Sequence, residues 1–294
     1  MRRRFFANKD DLKNYLNIEM LEDGTISFRD VDVINGHYCI NNNWKRFYDY
    51  TKIDVCAGDI ISFKANDLRS TINGIFVISS RFNVSGNLTA VTNGILKDYT
   101  QMFSNTSVVS VAKDFLSYTT LTDSCYSGMF EGCTSLVTAP ELPATTLANY
   151  CYYNMFNGCT SLVTAPELPA TTLTKSCYSE MFYGCTSLTT APKLPATTLE
   201  DHCYYCMFNG CTSLVTAPEL PATTLANYCY SYMFKGCTKL NYIKALFVTK
   251  PSDTYTGSWV SGVSETGTFV KNKNATWDVT GSSGVPSGWI ILTE

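Results

Sequence analysis

The chain has 294 residues, with 22 Lys and Arg against 25 Asp and Glu, a net charge of −3 and a pI near 5.5. That balance argues against a phosphate-seeking basic protein, so no nucleic acid is expected as a partner. Charged residues make up 16% and aromatics 13%, a composition that suits a binding surface better than a disordered tail. No window approaches the roughly 18 apolar residues of a membrane span.

In chain order, residues 1–22 come first as an arm. Arg2, Arg3 and Arg4 precede Phe5 and Phe6. A secretory signal would need an apolar run of about 7 to 15 residues next. Only Ala7 extends this run before Asn8, Lys9, Asp10 and Asp11, so no signal is read. The two readings for Arg2 to Phe6 are a docking arm for a protein partner and a plain solvated terminus. Residues 9–22 are expected to form one short helix, with Leu12, Tyr15, Leu16 and Met20 on one face.

Residues 23–100 read as a small β domain, sandwich-like. "GTISFRDVDV", "DIISFKAN", "GIFVISS" and "FNVSGNLTAV" alternate apolar and polar side chains, with Gly or Asn at the turns.

Residues 101–247 are dominated by a repeat. "DSCYSGMFEGC", "NYCYYNMFNGC", "KSCYSEMFYGC", "DHCYYCMFNGC" and "NYCYSYMFKGC" are led by Cys125, Cys151, Cys177, Cys203 and Cys229, a constant period of 26. Variants of "TSLVTAPELPATTL" join them. A fixed period between 20 and 50 residues is the mark of stacked units that contact mainly their neighbours.

Within one unit, Leu147, Cys151 and Met155 fall at i, i+4 and i+8, which predicts a short helix capped by threonine and stopped at Gly158. Leu162, Ala165 and Leu168 then recur every third residue among Pro166 and Pro169. Prolines there exclude a long central strand, so a strand of a few residues and a turn are expected. Residues 248–294, with Trp259, Trp277 and Trp289 among Gly and Ser, are expected to cover the open end of the stack.

Ten of the thirteen cysteines form two columns under this reading. A helix would hold the two cysteines of a unit about 12 Å apart, too far for a disulfide. Neighbouring units would bring equivalent cysteines close enough to bridge. Each column holds five, so neither pairs completely. Reduced thiols used as small core hydrophobes are the favoured reading, which points to a reducing compartment.

No catalytic residue, metal or cofactor is assigned. His202, Cys203, Cys206 and Cys211 lie together, but Cys203 and Cys211 are ordinary column members and no second ligand pair follows. Cys206 is expected at the surface. Neither a phosphate-binding Gly loop nor a G-x-S-x-G elbow occurs, and the protein is read as a non-enzyme. Tyr126, Tyr152, Tyr178, Tyr204 and Tyr230 keep the period, so they are expected inside. Tyr153, Tyr183, His202, Tyr205 and Tyr232 occupy positions that vary between units, so they are the candidate binding residues. Exposed aromatics suit glycan or protein recognition.

The pattern CYxxMFxGCTSLxxAPxLPATTL over residues 125–240 resembles the 26-residue variant of the BspA-like leucine-rich repeat, found in surface proteins of gut bacteria and in their phages. "MFSNTSVVSVAKDFLSYTTL" (102–121) resembles a degenerate first repeat. "NNNWKRF", "AGDIISFKAN" and "FNVSGNLTAV" are similar to the family's leader module, and residues 257–294 to its C-terminal segment.

The resemblance implies a mixed fold: a curved leucine-rich-repeat solenoid, with a short parallel strand and a short helix per repeat, between an N-terminal β domain and a C-terminal β-rich cap. It further implies non-enzymatic adhesion or recognition. One expectation is a phage fibre or decoration component, assembled in the host cytoplasm and displayed on the virion surface. It would bind a host-surface glycan or protein and attach through its N-terminus to a structural partner. The other is a bacterial cell-surface adhesin. A homo-oligomer is compatible with either.

Overall fold

The computed structural model describes residues 13–28, 31–34, 36–65, 67–70, 76–88 and 99–294. Ten strands precede the repeats: β1 (Leu16–Met20), β2 (Gly24–Phe28), β3 (Val31–Ile34), β4 (His37–Ile40), β5 (Asn43–Arg46), β6 (Lys52–Val55), β7 (Ile60–Lys64), β8 (Asp67–Ser70), β9 (Phe76–Ile78) and β10 (Phe82–Gly86). β11 (Val108–Val111) opens the repeat region. One six-stranded sheet runs β11-β10-β1-β7-β4-β5, a second sheet runs β6-β2-β9, and β3 pairs with β8.

The helix expected over residues 9–22 is corrected. Residues 9–12 lie outside the described residues, and Leu16–Met20 is strand β1, paired antiparallel with both β10 and β7. Leu16 and Met20 are spaced to fit either period. Ile18 decides, because Leu16, Ile18 and Met20 are all fully buried, a period of two.

The inner faces of the two larger sheets meet through Phe28, Phe47, Phe63 and Phe76. Phe28 stacks on Phe47 at 4.3 Å, and Phe63 meets Phe76 edge-on at 5.3 Å. Phe76 also stacks on Phe103 at 5.3 Å and 7°. The aromatic core of the N-terminal unit therefore continues into the repeats.

The strand-plus-helix leucine-rich-repeat solenoid is not what the repeats build. Strand accounts for 24% of the structure and helix for 2%. Among the described residues the one α-helix is α1 (Asp253–Thr256), beyond the repeats. Between Cys125 and Leu240 the strand content is isolated parallel bridges, such as Thr164 with Thr190.

The helix fails for a definable backbone reason. Tyr150, Asn154 and Gly158 have φ of 57°, 57° and 73°, and the same left-handed residue returns every fourth position in each repeat. An α-helix needs consecutive right-handed residues and bonds from i to i−4. Here Cys151, Tyr153, Met155, Asn157 and Cys159 donate their N–H groups three residues back. The alternate residues Tyr150, Tyr152, Asn154, Phe156 and Gly158 donate instead to Lys175, Cys177, Ser179, Met181 and Tyr183 of the next repeat, at 2.8–3.1 Å. Every backbone N–H from 150 to 159 thus has a partner, as a half-buried segment requires.

The unit of this segment is a tetrad, in which two side chains point in and two point out. Cys151, Tyr152, Met155, Phe156 and Cys159 are buried, while Tyr153, Asn154, Asn157 and Gly158 are not fully so. Stacking the repeats aligns the inward residues. Tyr99, Tyr126, Tyr152, Tyr178, Tyr204 and Tyr230 form one ladder, with centroids 5.8–6.0 Å apart. Phe103, Phe130, Phe156, Phe182, Phe208 and Phe234 form a second, at 5.7–5.8 Å. Burying each ring contributes about 1.5–3 kcal/mol, and each stacked pair about 0.5–1.5 kcal/mol more.

The return path of each coil supplies the other wall. Leu162, Leu168, Ala170 and Leu173 are buried, as are their equivalents apart from the partly buried Leu225. Pro166 and Pro169 carry no N–H for a strand ladder. On this side Ala165 N–H reaches Thr190 O at 3.1 Å.

Beyond the repeats come β12 (Tyr242–Ala245), β13 (Thr268–Lys271) and β14 (Ile290–Thr293), three parallel strands in that order. Trp259 is fully buried at the end of both ladders, 6.3 Å from Tyr230 and 6.1 Å from Phe234. Its indole N–H donates to Gly284 O at 2.8 Å. The stack runs past residue 247: Phe234 donates to Trp259 O, and Gly236 to Ser261 O. Residues 253–262 thus form a further coil, which the C-terminal segment covers.

Candidate recognition face

The outward positions of the tetrads form one continuous surface. Its columns read Ser124, Tyr150, Ser176, His202, Tyr228; then Ser127, Tyr153, Ser179, Tyr205, Ser231; then Gly128, Asn154, Glu180, Cys206, Tyr232; then Glu131, Asn157, Tyr183, Asn209, Lys235. The inward columns beside them hold a single residue type through five repeats: Cys, Tyr, Met, Phe and Cys. Within these segments it is the four outward columns that vary, although Ser176, Ser179, Cys206 and Ser231 among them are buried.

The structure brings four of the five candidate residues into two neighbouring clusters. Tyr153 donates its hydroxyl to Glu180 Oε1 at 3.2 Å and lies edge-on to Tyr150 at 6.2 Å. His202 stacks on Tyr228 at 4.8 Å and touches Tyr205 at 5.6 Å. Tyr205 in turn meets Tyr232 edge-on at 5.7 Å. Tyr183 is exposed, with no ring contact to these clusters among the described residues. The attachment residues Arg2, Arg3, Arg4, Phe5 and Phe6 lie outside the described residues.

Tyr150, Ser179, Glu180, Tyr228, Lys175 and Lys235 belong to the face and were not among the candidate binding residues. The ammonium groups of Lys175 and Lys235 lie 5.9 and 5.3 Å from the Tyr150 and Tyr232 rings. Tyr150 and Tyr228 directly precede the leading cysteine, a position that also varies between repeats. That variation was the available signal.

Electrostatics follow burial. Glu180 has its carboxyl raised above the usual range by burial, against the lowering effect of the Tyr153 hydroxyl. The Tyr205 hydroxyl is pushed up to about 12, chiefly by burial and then by Cys206. Cys206 was expected at the surface, but it is buried with its thiol pushed up to about 11, again mainly by burial. Asn209 Nδ2 approaches its sulfur at 3.9 Å. Among the described residues no group of three or more His, Cys, Asp or Glu side chains is placed to hold a metal ion.

The column cysteines are packing residues. All thirteen cysteines are free. Cys159, Cys185 and Cys211 each donate Sγ–H to the carbonyl of the phenylalanine one repeat earlier, at 3.1 Å. Burial pushes Cys185 up to about 12 and leaves little thiolate. Adjacent repeats were expected to bring equivalent cysteines close enough to bridge; in the structure every cysteine is a free thiol.

No protein-family model, curated protein or solved structure matches the chain. No described helix is long and apolar enough to cross a membrane.

Proposed function

We infer that the chain is a non-enzymatic recognition protein that displays the outer face of its coil stack to a host-surface glycan or protein. The observation that carries this reading is the contrast between invariant inward columns and variable, aromatic-rich outward ones. Packing alone asks for constancy, which the inward columns have. Tyrosines at the outward positions offer large area at low entropy cost.

The repeat sequence remains the basis for proposing a distant relation to the BspA-like group, with a coil made of tetrads. Within that reading the chain serves as a fibre or decoration component of a phage particle, held by its N-terminal part. A bacterial cell-surface adhesin is the alternative. Mass spectrometry of purified virions against cell-envelope fractions separates the two. Adsorption to host cells tests the face itself. Tyr153→Ala combined with Tyr205→Ala should lower binding about tenfold or more while the melting temperature stays within a few degrees. Unchanged adsorption would move recognition off this face.

A further inference from the structure

One column of the face alternates strictly: Ser127, Tyr153, Ser179, Tyr205, Ser231. The serines are not vacant slots. Ser179 and Ser231 are buried. Ser179 Oγ reaches Tyr205 O at 3.4 Å, and Gly257 N–H reaches Ser231 Oγ at 3.2 Å. Each tyrosine leans toward the next coil: Tyr153 donates its hydroxyl to Glu180, beside Ser179, and Tyr205 meets Tyr232, beside Ser231. Two half-exposed rings therefore stand two rungs apart, about 12 Å on the ladder beneath them, where the rungs measure 5.8 and 6.0 Å. Each ring is braced edge-on, Tyr153 by Tyr150 and Tyr205 by Tyr232. Bracing lowers the ordering cost of binding.

The charges around this pair are ordered too. Lys175 and Lys235 lie over Tyr150 and Tyr232, the bracing rings. Between the two platforms stands Glu180, with Glu131 near enough to raise its carboxyl further. Glu131 itself accepts from Gln101 Nε2 at 3.1 Å. A ligand running from Tyr153 to Tyr205 thus passes the Glu180 carboxylate directly, with the Lys175 and Lys235 ammonium groups held over the bracing rings to the side. That carboxylate accepts hydrogen bonds from hydroxyls and repels acids.

We propose that this face binds an unbranched neutral glycan laid along the stack axis, stacking two of its sugar rings on Tyr153 and Tyr205 and hydrogen-bonding an intervening hydroxyl to Glu180. The inference rests on the outer face being the recognition surface, and it adds the ligand class, its direction and its minimum length. A single sugar reaches one platform only. Uronic or sialic acid chains meet Glu180 and are rejected.

The test is calorimetric titration with glucose and N-acetylglucosamine oligomers, β-1,4-linked, from monomer to hexamer. A galacturonic acid hexamer serves as the acidic counterpart. Host-cell adsorption is measured before and after periodate oxidation of the cell-surface sugars. The expected result is binding that rises steeply once the oligomer spans both platforms and no binding of the acidic hexamer. Tyr205→Ala should cost about tenfold, and Tyr205→Phe little. Glu180→Gln should admit the acidic chain. Binding with no length dependence, binding confined to acidic chains, or no neutral oligomer bound at all overturns the proposal. If periodate leaves adsorption intact while Tyr205→Ala still abolishes it, the ligand is a protein and only the glycan inference fails. If Tyr153→Ala and Tyr205→Ala together leave adsorption intact, the face itself is wrong.

Discussion

Asn154 separates the tetrad coil from a helix by the sign of a substitution. Its φ is 57°, its N–H donates to Ser179 O at 3.1 Å, and its carbonyl accepts from Asn157 N–H at 3.0 Å. Its Oδ1 accepts from Asn157 Nδ2 at 3.2 Å. Alanine keeps the backbone bonds but tolerates the left-handed region less well than asparagine, at a cost of about 1 kcal/mol. Losing the half-exposed side-chain bond adds about 0.5 kcal/mol. Asn154→Ala should therefore destabilise by about 1.5 kcal/mol. Asn154→Gly relieves the left-handed strain, at an unfolded-state entropy cost of about 0.4–1 kcal/mol, and should stay within about 0.5 kcal/mol of the parent. A helix orders the pair the other way, because alanine exceeds asparagine in propensity by about 0.5 kcal/mol and glycine falls below it. Guanidinium denaturation followed by fluorescence, with melting alongside, gives the ranking. Midpoints are the quantity to compare, since stacked repeats need not unfold in two states. The tetrad is refuted if the alanine variant is the more stable and the glycine variant the less.

Gly184 has φ of 68°, and an added Cβ would sit 3.9 Å from Gly158 Cα and N. The Cβ fits, but a β-branched residue tolerates the left-handed region least, so Gly184→Val should cost about 2 kcal/mol or more, and more than Gly184→Ala, in the same denaturation assay. Phe182 is fully buried between Phe156 and Phe208, each at 5.7 Å. Phe182→Ala should destabilise by about 3–5 kcal/mol, and a midpoint shift under a third of that would mean the ladder is loose. Burial raises Cys177 to about 11 and Cys185 to about 12, from 9.0. The folded state therefore favours the neutral thiols. Their contribution is complete below pH 9 and is lost as pH rises through 11 to 12. Stability measured from pH 7 to 11 should be level and then fall; a level profile to pH 11 contradicts the buried thiols. At pH 8 a thiol reagent should label exposed Cys56 quickly and half-buried Cys39 slowly, and the eleven buried thiols only on unfolding.

The period of 26, the inward tyrosines and the small cysteines were legible because constancy in five copies marks the core. What misled was a spacing shared by two structures. Leu147, Cys151 and Met155 at i, i+4 and i+8 satisfy a helix, yet they repeat without the drift that 3.6 residues per turn imposes. The adjacent pairs Cys151–Tyr152 and Met155–Phe156, both buried, are the stronger clue to a four-residue unit. Gly158 looked like a helix stop, but it is one of a series of left-handed residues that asparagine, glutamate, cysteine and tyrosine also fill. No composition rule reveals those strained positions, because bonds to the next coil hold them. At the face, variable tyrosines marked the region. The Tyr153–Glu180 bond and the pairing of Tyr205 with Tyr232 depend on how side chains lean between coils, which one repeat read alone does not contain.

The hydrogen bonds between coils are directly observable. In a deuterated sample, the amide nitrogen of Phe156 should show a through-hydrogen-bond scalar coupling to the carbonyl carbon of Met181, twenty-five residues ahead, as the 2.9 Å contact requires. Phe182 should couple likewise to Met207 and Phe208 to Met233, at 3.0 and 2.9 Å. A coupling from Phe156 to Tyr152 instead would return the segment to a helix and remove the stacked tetrads on which the fold and the face depend.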